Sequence, residues 1–385
     1  MNQLIQQNLS LFTDPGRKYP VDDLNLPFSD YLSQCRQLIS ATRQDLAVNP
    51  HSQPTPEHII TANSPFEWQP ATKARHGVLL LHGLYDSPFV MQDVGRVLQA
   101  EGLLVRSLLL PGHGTRPGAL LATSYVEWIQ TLRYGLAQLR PQVEKIFLVG
   151  FSTGATLILH HLLNEPEHNI AGAVLIAPAI AIARSARLAN LPPRLGFDWL
   201  HRKPDIDYTK YTSFTFNSAY QIYCLVRAMN KLAANHKVSC PLLTCVSQDD
   251  KTVKTAATLA FFAQQASANS SMILYSERAD SIRDKRIIQR PAAYSDLHIQ
   301  NISHICLPIA PDNPHYGKNG DYPLASRVEA NRLLAHPVTY GTANNWQEKI
   351  FGDLMPIGST QNRRLTFNPD FDFFAAALRE FISSS

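Results

Sequence analysis

From His76 onward the chain alternates short apolar runs with longer amphipathic stretches. The runs Gly77–Leu81, Leu103–Leu109, Lys145–Val149, Ala173–Ile176, Leu242–Val246 and Leu297–Ile302 are rich in Leu, Ile and Val and bounded by Gly, Pro or polar residues. Each predicts a strand buried on both faces. Between them Val90–Ala100, Tyr125–Leu139 and Ala155–Leu163 repeat their apolar positions at helical spacing. Strands alternating with helices predict an α/β fold: a mostly parallel central sheet with helices on both faces. In such sheets ligands bind at the carboxyl ends of the strands.

Three regions depart from this rhythm. Residues 1–70 are rich in Pro, Asn and Gln and predict an extension with one amphipathic helix over Phe28–Leu46, which Ser29 could cap, and an edge strand within Ile59–Trp68. Residues 178–236 carry Pro192-Pro193, several aromatic side chains and a helical run over Tyr220–Ala233. Residues 305–366 are rich in Pro, Asn, Gly and Tyr. The scaffold pattern resumes in Phe371–Ile382, where Asn368-Pro369-Asp370 supplies a start signal.

Composition narrows the classes. Hydrophobic residues make up 45% of the 385, charged ones 17%, and the net charge of +4 is spread without long runs. A large core is available, disorder is excluded, and no clustered basic face marks a nucleic-acid partner. Five cysteines without a C-x-x-C pair do not form a disulfide framework or a structural zinc site, and point to reduced thiols. The first residues lack the basic start and apolar run of a signal peptide, and no apolar stretch approaches the roughly 20 residues of a spanning helix. The expectation is a cytoplasmic protein.

The strongest chemical signal is Gly150-Phe151-Ser152-Thr153-Gly154. It follows a predicted strand and opens a predicted helix, the context in which a serine is forced onto a tight turn with its hydroxyl above the sheet. A second run, Leu79-Leu80-Leu81-His82-Gly83-Leu84, ends another apolar strand, and Leu110-Pro111-Gly112-His113-Gly114 follows the next. Across residues 76–180 these motifs resemble the α/β-hydrolase superfamily, and within it the carboxylesterases and monoacylglycerol-lipase-like serine hydrolases. The resemblance implies an α/β-hydrolase domain over 71–385 with Ser152 as nucleophile. It also implies an oxyanion hole formed by the N–H groups of Leu84 and Thr153, and a cap inserted at about 178–236. His82 and His113 are expected to buttress their loops.

In this fold acid and base follow the serine in that order. After Leu242–Val246 comes Ser247-Gln248-Asp249-Asp250-Lys251-Thr252-Val253, where Asp250 fits the family's Asp-x-x-Val spacing and Asp249 is the fallback. Adjacent aspartates also suit the start of a helix. Of the later histidines, His304 in Asn301-Ile302-Ser303-His304 resembles the family's strand ending in the base, though the motif's Gly is absent. His315 in Pro314-His315-Tyr316-Gly317 competes for the role, and His298 lies within the predicted strand. Asp250 and His304 stand 54 positions apart. The basic stretch 275–295 between them reads as an inserted solvated loop, with binding of an acidic headgroup as the sharper alternative.

The implied activity is cleavage of a carboxylic ester through an acyl-serine, on a small acyl ester of moderate apolarity. A thioesterase or acyltransferase on the same residues, or a catalytically silent binding protein, are the alternatives. No metal or nucleotide cofactor is implied, since there is no phosphate loop or dinucleotide fingerprint.

Overall fold

A computed structural model describes residues 11–16, 18–43, 54–165, 167–202, 207–278, 283–322, 338–341 and 361–384. Its centre is an eight-stranded sheet. In chain order the strands are β1 (Phe66–Trp68), β2 (His76–Leu81), β3 (Leu104–Leu108), β4 (Lys145–Phe151), β5 (Ile170–Ile176), β8 (Leu242–Ser247), β9 (Ser271–Tyr275) and β10 (Ile287–Arg290). The spatial order is β1-β3-β2-β4-β5-β8-β9-β10. β1 runs antiparallel to β3, and every other neighbouring pair is parallel. Around it lie α1 (Phe28–Arg43), α2 (Pro56–Asn63), α3 (Gln92–Ala100), α4 (Tyr125–Leu139), α5 (Thr153–Asn164), α6 (Phe216–Ala233), α7 (Thr255–Gln265) and α8 (Phe371–Ser384). This is the α/β-hydrolase fold.

The inner strands are apolar along their length because both faces are covered. Val78 to Leu81 of β2 and Leu148 and Val149 of β4 have no accessible surface. Each such side chain contributes about 1.5–3 kcal/mol on burial. Helix α4 begins where the sequence pattern places it, because Ser124 accepts from the Val126 N–H while the Ser124 N–H donates to Glu127 Oε2 at 2.7 Å.

The N-terminal segment is fastened to this core. Arg106 on β3 lies opposite Glu67 on β1 and donates to its Oε2 at 2.6 Å. Its second donor reaches the Gln138 carbonyl on α4, and its guanidinium lies 4.3 Å from the Phe28 ring of α1. Tyr31 Oη accepts the Leu109 N–H at 2.9 Å, and Arg43 donates to the carbonyls of Gly114 and Tyr208. The amphipathic helix is described as far as Arg43, and the rest of its expected span lies outside the described residues.

Two expectations are corrected and one is narrowed. The edge strand expected within Ile59–Trp68 is present at Phe66–Trp68, at the rim of the sheet, while Thr55 caps a helix over Pro56–Asn63 before it. Leu297–Ile302 is not a strand. A 3₁₀ turn at Ser295–Leu297 leads to His298 in the left-handed region (φ 56°), and the segment makes one bridge, Tyr294 to Ile299. The sheet position is held instead by β10, inside the stretch read as a solvated loop. Its Arg290 makes a two-pronged ion pair with Asp370, 2.7 and 2.8 Å, at the start of α8.

Between β5 and β8 lie 3₁₀ turns at Arg184–Leu188 and Pro192–Leu195, a small antiparallel pair β6 (Trp199–His201) and β7 (Phe214–Thr215), and α6. Tyr85 anchors this region over the end of β2. Its Oη lies 2.7 Å from Ser218 Oγ, its carbonyl accepts the Tyr211 N–H, and its ring packs against Phe214. Within 305–366 the described parts are 305–322, a parallel pair β11 (Val338–Gly341) with β12 (Gln361–Arg364), and the approach to α8. Buried Asp93 of α3 binds this region through Oδ2, which accepts from the Ala310 N–H at 2.9 Å and from Asn313 Nδ2 at 2.7 Å. Among the described residues no helix is long and apolar enough to cross a membrane.

Candidate active site

Ser152 stands where β4 meets α5, at the carboxyl edge of the sheet. Its backbone is held at φ 52°, ψ −112°, outside the range L-residues prefer. The Ser152 N–H donates to the Ile176 carbonyl of β5 at 2.8 Å, which fixes the turn. The flanking glycines are steric requirements. A Cβ on Gly150 would stand 2.5 Å from the Ala155 nitrogen, and one on Gly154 would stand 2.3 Å from the Leu81 carbonyl oxygen. The G-x-S-x-G spacing is thus what allows a strand to turn into a helix against the end of β2.

The structure brings three of the singled-out residues together. His304 Nε2 lies 3.1 Å from Ser152 Oγ, across 152 positions of sequence, and His304 Nδ1 lies 2.6 Å from Asp250 Oδ2. Asp250 Oδ1 accepts the N–H groups of Thr252 (2.7 Å) and Val253 (3.0 Å), which explains the Asp-x-x-Val spacing. Burial pushes the Asp250 carboxyl upward, but the His304 charge, its hydrogen bond and these two N–H groups outweigh it and hold the pKa below the ordinary value. Asp249 stays outside the array; its N–H donates to Ser247 Oγ at 3.3 Å.

The loop carrying His304 has no strand beneath it and is pinned by hydroxyls. Ser247 Oγ donates to the Ile302 carbonyl at 2.7 Å, and Ser303 Oγ donates to the Leu365 carbonyl at 2.5 Å. The Phe151 ring lies 5.0 Å from the imidazole.

Leu84 lies just beyond β2, and Thr153 is the first residue of α5. The first N–H groups of a helix have no intrahelical acceptor, and the helix dipole there favours negative charge. His82 is buried beneath the Leu84 loop. Its Nε2 accepts the Leu110 N–H at 3.1 Å and its Nδ1 donates to the Gly83 carbonyl at 2.8 Å. Burial and neighbouring His113 keep it well below the ordinary histidine range, so it is neutral and ties two loops together. His113 is likewise buried, pushed down to about 4, with Nδ1 on the carbonyls of Pro111 and Leu110.

His315 lies elsewhere. Its Nε2 is 3.1 Å from Asp207 Oδ1 and its Nδ1 bonds Asp321. Tyr316 donates to Asp207 Oδ2 at 2.5 Å, and Thr209 donates to Asp207 through its N–H and hydroxyl, both at 2.9 Å. This cluster joins the insertion after β5 to the segment after His304. Neither it nor the Asp93 anchor has a sequence signal, because the partners lie more than a hundred positions apart. The Thr55-Pro56 helix start, by contrast, is a cap signal present in the sequence.

Among the described residues one group, His161, Glu165 and Glu167 at the far end of α5, has the spacing to hold a cation. The guanidinium groups of Arg133 and Arg140 already engage its carboxylates.

A strained serine above the carboxyl edge of a parallel sheet, facing a histidine that faces a carboxylate, defines an α/β-hydrolase. A family model described as serine aminopeptidase, S33, matches residues 72–279, just over half of the 385, and the chain belongs to that family. The thermostable monoacylglycerol lipase of Bacillus sp. (strain H-257) is 31% identical over 185 residues, which cover 46% of this chain and 71% of that enzyme. Among solved structures, the monoacylglycerol lipase of Paleococcus ferrophilus superposes with a TM-score of 0.48 at 19% identity, covering 69% of this chain and 98% of that one. A structure reported with the metagenome-derived lipolytic enzymes LipS and LipT gives 0.49 at 19% identity, covering 60% and 89%.

Proposed function

We propose that the protein hydrolyses carboxylic esters with Ser152 as nucleophile, His304 as base and Asp250 as the carboxylate that orients it. The observation that carries this reading is the 3.1 Å approach of His304 Nε2 to Ser152 Oγ, with the other ring nitrogen on Asp250. Asp250 accepts the Nδ1–H, so the Nε2 lone pair faces the hydroxyl. As Ser152 Oγ attacks the acyl carbonyl carbon, its proton passes to Nε2. The tetrahedral oxygen takes up negative charge and receives the N–H groups of Leu84 and Thr153, each contributing about 3 kcal/mol to the transition state. Collapse of the intermediate breaks the bond to the alcohol oxygen, which leaves with the proton from His304. Water then attacks the acyl-serine, giving its proton to His304; as the acyl–Oγ bond breaks, that proton passes from His304 to Ser152 Oγ, and the acid leaves.

The 31% identity to a monoacylglycerol lipase supports an ester of an apolar acid as substrate. Residues 178–236 act as a cap over the site, within a catalytic unit spanning 71–385, and residues 1–70 form an extension whose described parts dock on it. The cysteines are free, in keeping with a cytoplasmic site of action.

Labelling with a fluorophosphonate, followed by peptide mapping, tests this assignment. Selective modification of Ser152 that disappears in His304→Ala is the expected result. Equal labelling of His304→Ala, or modification at another serine, would refute it.

A further inference from the structure

Five of the eight large hydrophobic side chains exposed among the described residues fall within thirteen positions of the insertion after β5: Leu188, Leu191, Leu195, Phe197 and Leu200. Leu195 is 76% exposed and Phe197 65%. They are displayed rigidly. Pro192-Pro193 fix the second 3₁₀ turn, Gly196 ends it in the left-handed region, and the N–H groups of Gly196 and Phe197 donate back to the carbonyls of Pro193 and Pro192. A turn whose backbone bonds are satisfied has no internal reason to hold two large apolar groups in water.

The surrounding charge points to the partner. Arg187, Arg194 and Arg202 are exposed, and Asp198 is the one acid between positions 184 and 202. Half-buried Tyr220 and Tyr223 lie on α6 beside this turn, with Arg194 close enough to Tyr220 to act on its phenol. Protruding apolar residues, an arginine rim and adjacent phenols match a penetrable anionic interface.

We infer that the turn Leu188–Leu200 docks the protein on anionic lipid bilayers, with Leu195 and Phe197 entering the acyl region and the arginines meeting the headgroups. The same insertion is anchored through Tyr211, Phe214 and Ser218 to Tyr85, next to Leu84, so docking holds the roof of the candidate active site against the layer where apolar esters accumulate. That consequence rests on the ester-hydrolase reading; the docking itself does not.

The test is sedimentation of the full chain with phosphatidylglycerol-containing and pure phosphatidylcholine vesicles. The wild type should bind the anionic vesicles, less so as salt rises. Leu195→Asp with Phe197→Asp should weaken binding about tenfold or more, and Arg187→Gln with Arg194→Gln should erase the preference for phosphatidylglycerol. Circular dichroism and thermal midpoints check that the variants are folded. Absence of wild-type binding at low salt, or undiminished binding by the folded double aspartate variant, would overturn the proposal. So would a wild-type dimer, seen by sedimentation velocity, that this variant converts to monomer without any vesicle binding. Fluorophosphonate labelling without vesicles reads the proposed nucleophile separately, so either reading can fail alone.

Discussion

Among the described residues two buried histidines are paired with aspartates, and their surroundings are opposite in one respect. His304 gives one nitrogen to Asp250 and turns the other to a serine hydroxyl. His315 has a carboxylate on each nitrogen, Asp207 and Asp321, and lies among the rings of Tyr208 (4.2 Å) and Tyr316 (4.5 Å). Burial disfavours charge on His315, but the Asp207 charge and the hydrogen bonds its ring N–H groups give to both carboxylates outweigh it and raise its pKa. With both ring N–H groups donating, His315 has no lone pair to accept a proton. The same residue pair therefore sets up the proposed base in one place and a clamp in the other. What separates them is the partner of the second nitrogen.

The contrast is broken most sharply at the serine and its proposed base. Ser152→Ala and His304→Ala should each lower kcat for ester hydrolysis by about 10⁴-fold or more, and the double variant should lose little beyond either single one. Steady-state kinetics on a soluble ester measure this, and fully additive losses would separate the two residues mechanistically. Asp250→Asn should cost about 10⁴-fold with the fold intact, because the amide favours the wrong imidazole tautomer.

Removing the clamp should act on stability. His315→Leu should destabilise the fold by about 3–5 kcal/mol, since Asp207 stays buried without its main counter-charge. Denaturant titration measures the loss, and folded protein should retain labelling at Ser152. The folded pKa of His315 lies above its unfolded value, so its contribution is full below about pH 6.5 and is lost as pH rises through the folded value. Asp207 is held far below the usual carboxylate range, so its contribution is present above about pH 4 and is lost at lower pH. The difference in stability between wild type and His315→Leu should therefore peak in mildly acidic buffer.

The smallest effect belongs to Asp86, whose carboxyl feels both clusters. Burial pushes it up to about 6, while Lys210 and His304 pull it down and Asp207 adds to the rise. An aspartate raised in the folded state costs stability once it ionises. Asp86→Asn should gain on the wild type as pH rises from about 4 to above 6, by a few degrees in thermal midpoint. A midpoint difference that does not change with pH would show that this carboxyl is not desolvated.

The same contrast shows what the sequence could reveal. The Ser152 turn was legible because its requirements are local: an apolar strand, two glycines with no room for a Cβ, and a helix. Asp250 was legible through the Val253 spacing, which its Oδ1 uses directly. His304 came from family resemblance, and the strand expected before it does not exist. Ile299 and Ile302 are buried in a loop held by Ser247 and Ser303, and a short apolar run cannot tell that from a strand. β10 was misread in the opposite sense. An edge strand covered incompletely tolerates charge, so Lys285-Arg286-Ile287-Ile288-Gln289-Arg290 looks like a solvated loop. The His315 clamp depends on partners that only the tertiary fold brings together.

The 152 positions between Ser152 and His304 also give the site a history. At ribosomal rates of about 5–20 residues per second, the strand, turn and helix that strain the serine emerge roughly 8–30 s before the residue that would activate it. A nascent chain in that interval can fold the elbow and yet lack a base. On the proposed assignment, hydrolytic competence is deferred until the segment after β10 is made and held between Ser247 and Leu365, so maturation of the site follows synthesis of the scaffold.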